Sequence, residues 1–86
     1  MASHYAGFTV QVRDTNGVIT NVGSGISVKV RADGAGSDAA ESPLTTNSSG
    51  AIAAGTLAAI AVGTKVHFRV ENYGGRSGSV SQITTS

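Results

Sequence analysis

Two histidines, His4 and His67, are the only side chains in this sequence whose ordinary pKa lets them act as a base near neutral pH. Serine and threonine hydroxyls are plentiful. Nucleophilic catalysis, however, needs a hydroxyl beside a base and a third group that orients the base. His4 falls in the segment Met1 to Gly7, which is expected to be a frayed N-terminal tail. His67 falls in the run Lys65-Val66-His67-Phe68-Arg69-Val70-Glu71, whose alternation turns it outward between two cations. On that face the nearest carboxylate is Glu71. The plain reading of His67 is a solvated strand residue or a binding contact. No catalytic residue is assigned, and the chain is expected not to be an enzyme.

Asp33, Asp38 and Glu41 lie in a segment, Asp33 to Ser42, that is otherwise mostly Gly, Ala and Ser. Carboxylates of this kind serve calcium, which takes about six to eight oxygens. Their spacing matches no calcium-loop template, so an acidic surface loop is expected and no metal site. Gly34-x-Gly36 lacks the third glycine and the following helix of a phosphate-binding loop, so no cofactor is implied. With no cysteine, disulfides and thiolate metal ligands are excluded. Asn47-Ser48-Ser49 has the form of a glycosylation sequon, which carries meaning only in an exported chain.

The placement of charge is more informative. The six basic residues are Arg13, Lys29, Arg31, Lys65, Arg69 and Arg76. Alternation puts the first five on the outward faces of three strands, with His67 among them. Asp14, Asp33, Asp38 and Glu41 are expected in turns and loops, and only Glu71 shares a strand face. If those strands share a sheet, one face carries a basic stripe that could dock on an anionic surface. The competing reading is ordinary solvation, with Lys and Arg discouraging edge pairing. No aromatic platform lies among these cations, which argues against nucleic acid. A net charge of +1 requires no strongly charged partner. Two loops are further candidates for contact: the acidic one with Asp33, Asp38 and Glu41, and the one holding Tyr73 and Arg76.

The elements that must position these residues are strands. Ten Val and five Ile stand against two Leu and one Met, a balance that suits a pleated surface. Phe8 to Arg13 alternates, with Phe8, Val10 and Val12 inward, and ends at the turn Asp14-Thr15-Asn16-Gly17. Val18 to Val22 is expected to be a short strand. Ile26 to Ala32 follows, with Ile26, Val28, Val30 and Ala32 inward. Pro43 to Thr46, then Ala51 to Leu57 beyond the turn Asn47 to Gly50, read as two further strands. Leu57 and Ile60 have helical spacing, allowing at most one helical turn near residues 57–62. Val66, Phe68 and Val70 face inward on the strand from Lys65 to Glu71. Ser79 to Thr85 is expected to be the last strand, bulged because Val80 and Ile83 break the period of two. Residues 1–7 are read as a tail and 8–85 as one domain. No apolar run approaches the ~18 residues of a membrane span, and Met1 to Gly7 has no basic and apolar leader pattern.

The order of motifs from Phe8 to Val70 resembles a known pattern. It runs Val10-x-Val12-x-Asp14-x-x-Gly17, Ile26-x-Val28-x-Val30, Thr45-Thr46-Asn47-x-x-Gly50-x-Ile52, then Leu57-x-x-Ile60-x-x-Gly63-Thr64-x-Val66-x-Phe68-x-Val70. This is similar to the carboxypeptidase-regulatory-like and transthyretin-like modules of immunoglobulin-like type. The resemblance implies an all-β fold, a single β-sandwich of about seven short strands. It also implies a structural, adhesive or accessory role without catalysis, of the kind many bacteriophage particles use. Lys65 replaces the usual Tyr or Phe after the Gly-Thr pair, and the Asp33–Ser42 loop is longer than the pattern has.

The leading expectation is therefore a non-enzymatic virion protein of a bacteriophage, a capsid decoration or tail-associated module. Its partners would be other virion proteins, as a homo-oligomer or docked on a larger assembly, and its location the virion surface. The alternatives are an extracellular adhesion or carbohydrate-binding module, for which Tyr5 and Tyr73 are the available aromatics, and an accessory domain of a larger hydrolase.

Overall fold

The computed structural model describes residues 2–86. Ten strands follow in order: β1 (Ser3–Tyr5), β2 (Phe8–Thr9), β3 (Gln11–Arg13), β4 (Ile19–Asn21), β5 (Ser27–Ala32), β6 (Leu44–Thr45), β7 (Ala51–Ile52), β8 (Gly55–Leu57), β9 (Lys65–Tyr73) and β10 (Arg76–Ile83). No helix occurs among the described residues, so none crosses a membrane; Leu57 ends β8 and residues 58–62 form turns and a bend rather than the helical turn that Leu57 and Ile60 allowed. Strand composition has won over a single helical pair, as expected for a β-branched chain.

One four-stranded antiparallel sheet has the order β10-β9-β5-β6. Three two-stranded ladders, β1-β8, β2-β7 and β3-β4, complete the all-β domain. Strands β1, β2 and β3 run in succession from Ser3 to Arg13 and change partner at Val10. The Val10 N–H donates to the Gly50 carbonyl (2.9 Å), and its carbonyl accepts from Val22 N–H (3.0 Å). Below this fork the chain pairs with β7 and β8; above it, with β4.

Two turns, one closing the β3–β4 hairpin and one joining β6 to β7, repeat one device. Asp14 Oδ1 accepts from the N–H groups of Asn16 (2.8 Å) and Val18 (2.9 Å). Asn47 Oδ1 does the same for Ser49 (2.9 Å) and Ala51 (3.1 Å). A short side-chain acceptor thus replaces backbone pairing where the chain reverses. Two buried threonines brace other loops. Thr46 Oγ1 accepts from Ile26 N–H and donates to the Gly23 carbonyl. Thr84 Oγ1 accepts from Thr64 N–H and donates to the carbonyl of Ala61.

The residues expected to be a frayed tail include a strand. Ser3 and Tyr5 are buried on β1, which pairs with β8 through Ser3–Leu57, His4–Thr56 and Tyr5–Gly55. On its other side His4 and Thr85 exchange backbone hydrogen bonds (2.8 and 3.0 Å). One step further, the Gln82 side-chain amide grips both backbone groups of Ala6, at 2.9 and 2.8 Å. The N-terminus is tied down by backbone pairing, which its own weak apolar pattern did not reveal.

The core is small: Tyr5, Val28, Val30, Ile52, Leu57, Val66 and Phe68. Phe68 is its centre, with ring centroids 5.3 Å from Tyr5 and 4.9 Å from Phe8. Val28, Val30, Val66 and Phe68 are buried as their alternation required, whereas Phe8, Val10, Val12 and Val70 are only half-buried. The bulge in β10 lies between Arg76 and Gly78, not at Val80–Ile83. Alternation therefore continues past it: Val80 lies opposite Phe68, while Ile83 is exposed.

Candidate functional site

Strands β5 and β9 carry the outward cations into register. Lys29 stands opposite Arg69, and Arg31 opposite His67. Like charges directly opposite each other on one sheet face are unfavourable unless something neutralises them. Here three carboxylates do so. Glu71 Oε1 pairs with Lys29 (2.6 Å) and its Oε2 with Arg69 (3.3 Å). Asp38 meets Arg31 (3.0 Å), and Asp33 meets His67 Nε2 (2.9 Å). Lys65 has no ion pair among the described residues.

This corrects the basic stripe in two ways. Arg13 lies on β3, in a different ladder, and does not join the face. Asp33 and Asp38, placed by the sequence in a loop away from the cations, fold back over them because the loop is pinned. Ala39 N–H donates to the Val30 carbonyl (2.8 Å), and Val30 N–H donates to Ser42 Oγ (3.1 Å). Four cations (Lys29, Arg31, Lys65, Arg69) less three carboxylates (Asp33, Asp38, Glu71) leave the face at +1 with His67 neutral. Such a face is a mixed network, weakly attractive to anions and screened by salt.

The acidic loop does not gather its carboxylates. Glu41 turns to a third partner, accepting from Ala58 N–H (3.1 Å). Burial first, and the Glu41 charge second, push the Tyr5 phenol above its ordinary pKa. His67 and Asp33 form the only His–carboxylate pair among the described residues. Ser81 stands opposite His67 in the ladder, yet no hydrogen bond joins their side chains.

The hydrogen bond from His67, supported by the charges of His67 and Lys65 against some desolvation, holds the Asp33 carboxyl below its ordinary pKa. A lowered folded-state pKa adds stability above the unfolded value, lost as pH falls through the folded one. Asp33→Asn is therefore expected to melt below the native chain at neutral pH. The gap should close as pH drops through and below the usual aspartate range, as read by thermal melts at a series of pH values. A gap that is constant with pH would contradict the pairing.

A second surface was not foreseen. An apolar slot of about 280 Å³ opens between β2–β3 on one wall and the first half of β10 on the other. Phe8, Val12, Val22, Phe68, Val70 and Val80 are among its lining. Neither β4 nor β7, the hydrogen-bonded partners of β3 and β2, lines it, so it lies on the free side of β2–β3; across from them β10 is the edge strand of its sheet, and Phe68, Val70 and Tyr73 of its neighbour β9 line the floor. Tyr73 and Arg76, from the candidate loop, stand at its rim. Arg76 is the only charged residue that lines it and has no ion pair among the described residues. Val80 is 51% exposed, and Val18 and Ile19, on the neighbouring hairpin, are exposed by 53% and 50%. The sequence signal for the slot was present in Phe8, Val12 and Val70, which alternation assigned to an inner face but could not show to be uncovered.

The chain matches no family model, no curated protein and no solved structure.

Proposed function

We propose that this protein is a non-enzymatic docking module of a larger assembly, joined to it through the slot between β2–β3 and β10. The virion surface suggested by composition and motif order is the setting proposed for it, as a capsid decoration or tail-associated unit, and the transthyretin-like sandwich belongs to the same proposal. The observation that carries the reading is the slot itself. Apolar side chains of β2, β3, β9 and β10 line a gap, and one of them, Val80, is half exposed. A concave gap lined mostly by apolar side chains, with a few polar groups at its rim, has the form of a binding site. A core this small also gains stability when a partner covers it.

The weakly charged face of β5 and β9 supports docking less well, because all of its cations but Lys65 are already paired. A photo-crosslinking residue in place of Val80 is expected to give one defined crosslinked species in the native host. The same residue in place of Ala35, an exposed loop position beside the far end of β9, should give none. Equal crosslinking from both positions would contradict a slot-centred interface.

A further inference from the structure

The slot is bounded by backbone as well as by apolar side chains, and that restricts what fits it. Val10 directs both its backbone groups to the Gly50 and Val22 side. In an antiparallel ladder successive residues point their N–H and C=O groups to opposite sides. Thr9 and Gln11, flanking Val10, therefore present theirs to the slot. On the other wall, Thr84 N–H donates to the Thr64 carbonyl toward the β9 side, while Thr85 bonds away from it, to His4. The same parity turns the backbone of Ser79 and Ser81 outward. Beyond Gln82 no residue continues the pairing that Thr85 and His4 begin, among the described residues. The two walls diverge with donors and acceptors unpaired on both.

The geometry points to an extended peptide segment of a partner protein as the occupant of this slot, apolar at alternate residues and acidic at the end beside Arg76. This rests on the docking reading above and names its ligand. An inserted strand can hydrogen-bond to the free edges of β3 and β10 together, whereas a helix satisfies its own backbone and leaves both edges unpaired. Alternate side chains of that strand enter the floor formed around Phe8, Val12, Phe68 and Val70; the rest face solvent. Arg76, the one charge on the lining, selects a carboxylate at the rim by complementarity. Beyond the bulge at Arg76–Gly78 the β10 edge carries no charge or proline to guard it against pairing: from Ser79 to Ile83 it has no Lys, Arg, Asp, Glu or Pro. The opposite edge of the sheet is the two-residue β6, entered from Pro43 and left through the Asn47 turn.

The test fuses a short strand of alternating valine and threonine, with aspartate at each end, to Ser86 through a flexible glycine–serine linker. Tethering gives the strand a local concentration of about a millimolar, so weak binding still registers. Amide hydrogen exchange at Thr9, Gln11 and Ser79 is expected to slow about tenfold or more relative to the unfused chain. The effect should vanish when proline replaces the valines and shrink with Arg76→Ser. Unchanged exchange at all three amides would overturn the strand occupant. The Val80 and Ala35 crosslinks would still decide separately whether the slot is an interface at all. An unfused chain that sediments as a dimer with the same amides already protected would place a second copy in the slot and overturn the partner segment.

Discussion

Phe68→Ala is expected to leave the chain largely unfolded at moderate temperature. Phe68 is 1% exposed and is the one side chain whose ring meets both Tyr5 and Phe8. Truncating a buried phenylalanine costs about 3–5 kcal/mol, made up of lost transfer energy and the cavity left behind. A domain of this size has on the order of 4–13 kcal/mol in all. No disulfide braces this one. The melting temperature should fall by roughly 12–40 °C, as followed by circular dichroism. Val66 and Val30 flank Phe68 on β9 and β5, and they cannot close over the hole without breaking the β5–β9 register. A fall of only a few degrees would mean that the core lies elsewhere.

Gly50→Ala is expected to be the second most damaging single change, and a distinctly local one. Gly50 has φ of +76°, and a methyl group there would overlap the Val22 carbonyl oxygen. Gly17 has φ of +81° in the equivalent position of the Asp14 turn, with nothing near its missing side chain. Both substitutions incur the left-handed backbone cost of about 1–2 kcal/mol. Only Gly50→Ala must also push backbone aside, at Val22, whose N–H donates to the Val10 carbonyl at the fork. The loss for Gly50→Ala should be at least about twice that for Gly17→Ala in chemical denaturation, and well above the ~1 kcal/mol typical of a point change. Because Val22 lines the slot, exchange of the β3–β4 amides should also accelerate in Gly50→Ala and not in Gly17→Ala. Equal losses would show that the close approach at Val22 carries no weight.

Parts of this fold were legible because they are local. Val28 and Val30 on β5, and Val66 and Phe68 on β9, declare their inner face by a period of two. Asp14-x-x-Gly17 and Asn47-x-x-Gly50 declare turns because their side chains bond the backbone within four residues. What stayed hidden depends on distant partners. Ser3-His4-Tyr5 has one large apolar residue and becomes a strand because Gly55–Leu57 and Thr85 supply its hydrogen bonds. Asp33 and Asp38 look like loop solvation until Ala39 and Ser42 pin the loop against Val30 and bring both carboxylates over β5 and β9. Val12 and Val70 read as core from their spacing. Spacing tells which way a side chain points and says nothing of whether another layer arrives to cover it. The cations of β5 and β9 do share one face, but Arg13 pairs elsewhere, and spacing could not show that carboxylates cover the face or that the slot stays uncovered.

The central claim is that this module works by seating part of a larger assembly between β2–β3 and β10. Amide hydrogen exchange of the chain, free and within its native assembly, tests it most directly. The account predicts slowed exchange centred on Thr9 to Val12 and Ser77 to Val80, with Lys29 to Arg31 unchanged. Protection confined to the β5 and β9 face, with the slot edges exchanging as freely as in the isolated chain, would contradict it.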